Sequence, residues 1–197
     1  MTNEHVTEPK AIDDDVDGVA PPLQTVCVDD DVEAFRVRVV AARRTQSDEL
    51  ILNSSERHAC VLIEELFHAA QSHVRIFCKT LNPGVYATPA VIAAARAFVR
   101  DRNGRIDVWV QDESALARSN AFIDHLSGLD RVSIRPARGR WAHDRHNFML
   151  VDDLALRFEE DRDQHDARAS FNWPQMGAIL ARFFDLIAAE SSPAAAG

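Results

Sequence analysis

The stretch that decides the fold covers residues 146–153 and reads His-Asn-Phe-Met-Leu-Val-Asp-Asp. Its apolar run, residues 148–151, is typical of a central strand that is buried on both faces. The Asp-Asp pair predicts a turn, and residues 154–158 then predict the second strand of a hairpin. Further along the chain, Ala-Ser-Phe-Asn at positions 169–172 precedes a segment with helical periodicity.

Helical and strand patterns alternate on both sides of this stretch. Helices are predicted, from apolar residues at 3.6-residue spacing, over residues 55–70, 88–104, 114–128 and 176–187. Strands are predicted, from short apolar or alternating runs, at residues 34–40, 74–80, 106–110 and 132–135. Ser55 and the Thr88-Pro89 pair suit the starts of the first two helices. Such alternation indicates an α/β sandwich built on a mixed sheet.

The residues around the predicted hairpin resemble the signature of the phospholipase D superfamily. That signature is a histidine, a lysine two residues later, an aspartate five residues further on, and then Gly-Ser-x-Asn. Its histidine, aspartate, serine and asparagine correspond to His146, Asp153, Ser170 and Asn172. The resemblance covers roughly residues 55–190. It implies a phospholipase D-like α/β/α sandwich with a mixed, mostly parallel sheet.

The resemblance also implies roles for these side chains. In the superfamily the histidine attacks phosphorus and forms a phosphohistidine, while lysines and asparagines hold the phosphate oxygens. By position, His146 would be the nucleophile and Asp153 its supporting carboxylate. Ser170 and Asn172 would contact the phosphate.

Phe148 stands where the superfamily has its lysine. Residues two apart in a strand face the same side, so positions 146 and 148 are expected to point into one site. Phenylalanine supplies neither charge nor donor there, and losing one such donor costs ~3–4 kcal/mol of transition-state stabilisation. Ala169 also replaces the usual glycine, and a charged insert at 159–166 lengthens the motif. We therefore interpret the residues as a vestigial site.

The favoured interpretation is a catalytically degenerate domain that binds a phosphate-bearing ligand or another protein. A lysine restored at position 148 should then raise phosphate affinity if the pocket is otherwise intact. The alternative is a homodimeric phosphodiesterase or nuclease in which His146 still attacks and an arginine replaces the lysine, the second copy supplying the second motif. A third possibility is a structural partner of another protein, favoured if the motif side chains do not converge around a space of phosphate size.

Five further residues are candidates for ligand binding. Arg138, Arg140, Trp141 and Arg145 lie in an arginine-rich loop that leads into the motif strand. Arginines beside an aromatic ring suit phosphate or single-stranded nucleic acid, but the loop could equally pair with the acidic insert at 159–166. Lys79, at the end of a predicted strand, could replace the missing lysine. Exposure at the sheet edge is the favoured explanation.

Composition and charge limit the possible domain organisation and location of the protein. The net charge of −9 arises in residues 1–33, which hold ten acids and one base, so the rest of the chain is neutral. We predict an acidic disordered tail over 1–33, one domain over 34–190 and a disordered tail over 191–197. No run of ~18 apolar residues or secretory leader occurs, so a cytoplasmic location without a membrane span is expected. Cysteine and histidine spacings predict no metal, and no cofactor is expected.

Overall fold

A computed structural model describes residues 28–163 and 166–192, with the backbone alone for 28–30. The helices are α1 (Val28–Thr45), α2 (Glu56–Ala69), α3 (Pro83–Tyr86), α4 (Pro89–Asp101), α5 (Ala121–Leu126) and α6 (Pro174–Ser191). The strands are β1 (Ile51–Asn53), β2 (His73–Cys78), β3 (Arg105–Val110), β4 (Val132–Pro136), β5 (Asn147–Val151), β6 (Ala155–Glu159) and β7 (Ala167–Ser170). Short 3-10 helices span Glu113–Ala117 and Gly139–His143.

The two predicted tails fall mainly outside the described residues. Helix α1 already begins at Val28, so the last residues of the expected N-terminal tail belong to a helix. Residues 1–27 lie outside the description, as do residues 193–197 at the other end, where α6 extends to Ser191.

The strands form one seven-stranded sheet in the order β1-β7-β6-β5-β2-β3-β4. Only the β2–β3 and β3–β4 pairings are parallel, and the other four are antiparallel. The expected mixed sheet is therefore confirmed, whereas the expectation of a mostly parallel sheet is wrong. Helical crossovers join β2 to β3 and β3 to β4, and parallel neighbours need such crossovers. A tight turn between β5 and β6 enforces antiparallel pairing instead.

Two apolar clusters, one on each face of the sheet, hold the layers together. Helices α1 to α5 pack on one face, where buried residues of β2 and β3 such as Ile76 and Val108 meet α2 and α4. Helix α6 covers part of the other face, where Leu180 and Phe184 meet Phe148 and Leu156. Among the described helices, none combines the length and apolarity that crossing a lipid bilayer demands.

Helix α1 replaces the strand predicted at residues 34–40, and that prediction is wrong. The alternation of apolar residues suggested a period of two, but Val37 is 62% exposed. Phe35, Val39 and Ala42 are buried instead, and their spacing places them on one side of a helix. Arg43 anchors this side by pairing with the buried Glu65 of α2 at 2.5 Å.

The helix predicted over residues 114–128 is interrupted. A 3-10 turn ends at Ala117, and α5 starts only after Asn120. The Asn120 side chain accepts a bond from the Phe122 amide (3.0 Å) and donates to the Leu81 carbonyl (2.9 Å). Asparagine competes with the helical backbone in this way and restarts the helix as an N-cap.

The predicted turn at Asp152 and Asp153 is confirmed. Both residues have positive φ, 49° and 57°, as in the turns that favour tight hairpins. The Asp152 carboxylate accepts bonds from the backbone of Gln71, Ser72 and His73 and from the Ser72 hydroxyl, at 2.6–2.9 Å. These bonds tie the β5–β6 hairpin to the start of β2.

We expect Asp152→Ala to lower the free energy of unfolding by about 2 kcal/mol, because several charge-assisted bonds are lost together. Burial raises the pKa of Asp152, but its bonds from Ser72, Gln71 and His73 outweigh this and hold the pKa below its ordinary value. The stabilisation that the Asp152 carboxylate contributes is therefore complete above about pH 4 and is lost as the pH falls further. Urea unfolding between pH 3 and 7 measures it, with Asp152→Asn as a control that keeps an acceptor and tolerates positive φ.

Candidate functional site

The motif residues do not meet at one place. His146 immediately precedes β5 and Asp153 follows its end, so the five residues of the strand, about 17 Å, separate them. Ser170 is the last residue of β7 and pairs in register with Leu156, near the turn. Asn172 continues beyond it towards α6. His146 is therefore at one end of the sheet and the other three residues are near the opposite end. For the motif residues, this separation favours the third possibility, a structural role, so a ligand site has to lie elsewhere in the fold.

Local partners occupy Asp153 and Ser170. The Asp153 carboxylate forms an ion pair with Arg75 of β2. The buried Ser170 hydroxyl donates to the Ser47 carbonyl at 3.4 Å and accepts from the Asn172 amide at 3.2 Å. These contacts fix the junction between β7 and α6. They differ from the roles that the resemblance implied, in which Asp153 supports His146 and Ser170 contacts phosphate.

The carboxylate that supports His146 belongs to Asp144. Asp144 Oδ1 lies 2.8 Å from His146 Nδ1 and also accepts from the His146 amide at 2.9 Å. Because a carboxylate can only accept, the proton sits on Nδ1 and a neutral ring keeps its lone pair on Nε2. The ring stacks on Phe158, with centroids 5.5 Å apart. His146 is thus oriented as a nucleophile would be, in an aromatic setting.

Phe148 lies in an aromatic cluster beneath α6. Its ring is 3% exposed and contacts Phe77 (5.8 Å between centroids), Phe183 (6.0 Å) and Phe184 (6.3 Å). His146 also meets the edge of Phe183, as expected if positions 146 and 148 share a face. The space that a lysine and a phosphate would need at position 148 is therefore filled by side chains.

The arginine-rich loop packs against the end of α6. Glu190 accepts bonds from Arg140 (2.7 Å) and from the Trp141 indole (2.9 Å). The Arg138 amide donates to Ser191 Oγ at 3.1 Å. These residues meet the C-terminal helix, while the carbonyls of Ala142 and Arg145 accept bonds from Arg162 of the insert at 159–166. Arg145 lines a separate open groove together with Glu160, Asp161 and Asp166 of the insert, so the alternative of a loop beside the acidic insert remains open for this residue.

A polar crevice opens at the carboxyl end of β2, on the face covered by α2. Asn147 links its parts, since it accepts from the Lys79 amide (3.0 Å) and donates to Glu159 (2.6 Å). The same Glu159 carboxylate accepts from Arg157 Nη1 at 2.6 Å, and Arg157 Nε donates to Asn53 at 3.3 Å. Carboxyl ends of parallel strands commonly form ligand sites in α/β sheets.

The crevice encloses about 130 Å³. That is room for about four water molecules, or one phosphate group. Its charged lining comprises Lys79, Arg157, Arg162, Glu56 and Glu159, three cations against two anions. Burial raises the pKa of the neighbouring Cys78 thiol to about 12, so it stays protonated at neutral pH. Lys79 Nζ is held at the rim by Asp163, 2.5 Å away.

Sequence reasoning found only Lys79 of this crevice. The signal for the others was present, because Arg157 and Glu159 are charged residues at alternate positions in a strand that is buried throughout. Charged side chains are rarely buried unless they are paired. The motif instead indicated His146, whose side chain points to the opposite face of β5 from Asn147.

The Glu64, Glu65 and His68 side chains lie close enough together on α2 to hold a metal ion. Arg36 and Arg43 of α1 already pair with the two carboxylates. These ion pairs give the acidic residues a structural role in docking α1.

Residues 55–195 match the protein family described as "Domain of unknown function (DUF7931)". The match begins at the cap of α2, so α1 and β1 precede it. No curated protein shows significant sequence similarity to the chain.

Two solved structures of other proteins are similar in fold to this chain. NucT from Helicobacter pylori, a phospholipase D-family protein, has a TM-score of 0.55 at 10% identity, and the match covers 73% of this chain and 96% of NucT. TrmBL2, described as an archaeal chromatin protein with a novel mode of DNA binding, has a TM-score of 0.56 at 10% identity. That match covers 83% of this chain but only 61% of TrmBL2. The fold is therefore phospholipase D-like, and at this identity the likeness concerns the fold alone.

Proposed function

The chain belongs to the DUF7931 family, and we propose that it is a non-catalytic phospholipase D-like module that binds a phosphate-bearing ligand in the crevice beside β2. The single observation that carries the proposal is the position of Phe148. It occupies the lysine position of the motif and is packed among Phe77, Phe183 and Phe184. The resemblance implies a lysine at that position, and a fixed positive charge there would stabilise the transition state of phosphodiester hydrolysis.

The crevice supports phosphate binding through its size and its positioned cationic side chains. Lys79 reaches its rim from a flexible stem, while Arg157 is held rigidly by Glu159 and Asn53. Arg162 Nη1 is fixed by Gln111 (2.8 Å) and by the Ala142 carbonyl (3.1 Å). Pre-positioned guanidinium groups lose little entropy when they bind an oxyanion. Asp163 pairs with Lys79 at the rim and balances the one excess cation of the lining, so an anionic ligand would take the place of Asp163 on Lys79.

Two substitutions with opposite expected effects test the proposal. Lys79→Met removes a cation and should weaken phosphate binding by about fivefold, whereas Asp163→Asn frees Lys79 and should strengthen it by a similar factor. Calorimetric titration of the purified protein with inorganic phosphate and with a nucleoside monophosphate measures both changes.

Arg182→Met is the matched control, because Arg182 is exposed on the outer side of α6. This substitution removes one positive charge at a site distant from the crevice. The phosphate affinity of the variant should stay near that of the unsubstituted protein. Equal affinities for the Lys79 and Asp163 variants, or no saturable phosphate binding, would contradict the proposal.

A second candidate, a homodimeric phosphodiesterase, has one specific observation in its favour. The Asp144–His146 pair fixes the histidine tautomer that a nucleophile needs. Such an enzyme would use a phosphohistidine intermediate and would need a second copy of the chain to protonate the leaving group. It would also need an arginine to replace the lysine. Comparing phosphodiester hydrolysis by the protein and by its His146→Ala variant separates the two candidates.

A further inference from the structure

The sheet has a second polar surface, on the α6 side of β2, β3 and β4. Strand alternation and register place its residues in three rows: His73 and Arg105; Arg75, Asp107 and Ser133; Phe77, Trp109 and Arg135. The exposed Arg131, which immediately precedes β4, adjoins them. We call this surface the arginine grid. Helix α6 packs mainly on β5 and β6, and its residues Phe184, Asp185 and Ala188 form only one wall of a 220 Å³ crevice beside the grid.

The grid is basic although the protein as a whole is acidic. It contains four arginines and one histidine against one acid, Asp107. Two acids at its borders reduce this excess, since Asp153 pairs with Arg75 and Asp185 lies on the α6 wall. The acids that give the chain its net charge belong to residues 1–33. Local charge rather than net charge determines where a polyanion docks.

Asp107 organises the centre of the grid. Its carboxylate lies 2.7 Å from His73 Nε2 and 2.6 Å from Arg105 Nε, and thus bridges the two side chains. Burial raises the pKa of Asp107, but the bonds from His73 and Arg105 outweigh it and lower the pKa below its ordinary value. The carboxylate is therefore charged at neutral pH and holds the His73 and Arg105 side chains in fixed positions.

Arg131 and Arg135 are the members available to a ligand. Both are exposed, and neither forms an ion pair within residues 28–163 and 166–192. Arg135 lies over the Trp109 ring with its guanidinium carbon 5.7 Å from the centroid, so stacking limits its freedom while its donors stay accessible. Arginine forks that are fixed but unpaired suit phosphate oxygens.

We propose that the arginine grid binds the phosphate backbone of a single-stranded nucleic acid. The proposal goes beyond the proposed function, because the grid lies on the opposite face of the sheet from the β2 crevice. It rests on the proposed function in one respect, namely that the bound strand is not hydrolysed. The grid is recessed beside α6, which favours a flexible strand over a rigid duplex. Trp109 is 4% exposed and covered by Arg135, so backbone contacts dominate and sequence preference should be weak.

The test compares two double substitutions with the same change of charge. Arg131→Gln/Arg135→Gln removes the unpaired arginines of the grid, and Arg96→Gln/Arg100→Gln removes two arginines from α4 on the other face. Fluorescence anisotropy with a labelled oligonucleotide of about 16 nucleotides measures binding by the full chain over a range of salt concentrations.

We expect the grid variant to bind about tenfold more weakly at low salt, with the slope of log K against log salt reduced by about 1.4. The affinity and the salt slope of the α4 variant should stay within about twofold of those of the unsubstituted protein. Equal losses in the two variants, or no binding by the unsubstituted protein, would overturn the proposal. Phosphate titration of the same grid variant separates the two sites: unchanged phosphate affinity leaves the crevice proposal standing whichever result the oligonucleotide gives.

Discussion

The Phe148→Lys substitution should lower the free energy of unfolding by at least about 4 kcal/mol and should not create phosphodiesterase activity. Removing a buried phenylalanine alone costs ~3–5 kcal/mol, and burying an unpaired ammonium adds to that loss. The ring of Phe148 is surrounded by Phe77, Phe183 and Phe184, none of which offers a carboxylate or a hydrogen-bond acceptor to a buried ammonium. Urea unfolding followed by tryptophan fluorescence measures the change.

This result differs from the gain in phosphate affinity that the motif alone suggests. Phe148→Leu is the matched control, because it keeps an apolar side chain and should cost only about 1–1.5 kcal/mol. A Phe148→Lys protein that is as stable as the Phe148→Leu protein and binds phosphate more tightly would mean that the aromatic cluster opens readily. The vestigial site would then still be a usable pocket.

The Arg157→Met substitution should have a similarly large effect, about 3–5 kcal/mol, on the free energy of unfolding. Glu159 is 8% exposed, and the Asn147 side-chain amide is then the remaining donor to its carboxylate among the described residues. Removing one partner of a buried ion pair costs far more than the pair contributes, because the other charge remains desolvated. Chemical denaturation of the purified variant gives the value.

The double variant Arg157→Met/Glu159→Leu is the control for this experiment. Replacing both members by apolar residues of similar volume should recover most of the stability, while the crevice loses its rigid arginine and phosphate affinity falls. Additive losses in the double variant would instead indicate that the two residues stabilise the fold through separate contacts.

Much of the fold follows from the sequence because its periodic signals are strong. The cap at Ser55, the buried residues of α2 and the Asp152-Asp153 turn all agree with the structure. The errors arise where a local pattern is ambiguous over a few residues. The sequence pattern fits a strand as well as a helix at Phe35, Val37 and Val39, and only the exposure of Val37 decides for the helix. Strands β1 and β7 contain only three and four residues, too few to give a clear periodic signal.

The site was harder to predict because the motif preserves spacing along the chain but not proximity in space. The segment between Asp153 and Ser170 contains the whole of β7 as well as β6, so the chain runs back to the turn before Ser170 is reached. Asp144, two residues before His146, supplies the carboxylate that the motif assigns to Asp153. Only the strand order reveals that Lys79, Asn147 and Glu159 meet at one end of the sheet.

Hydrolysis is the most direct test of the claim that the module is non-catalytic. The purified protein and its His146→Ala variant are incubated with bis-p-nitrophenyl phosphate and with single-stranded DNA, and product release is measured over time. We predict the same background rate for both proteins with both substrates. Hydrolysis that disappears in the His146→Ala variant would contradict the account and would make His146, oriented by Asp144, the nucleophile of an enzyme.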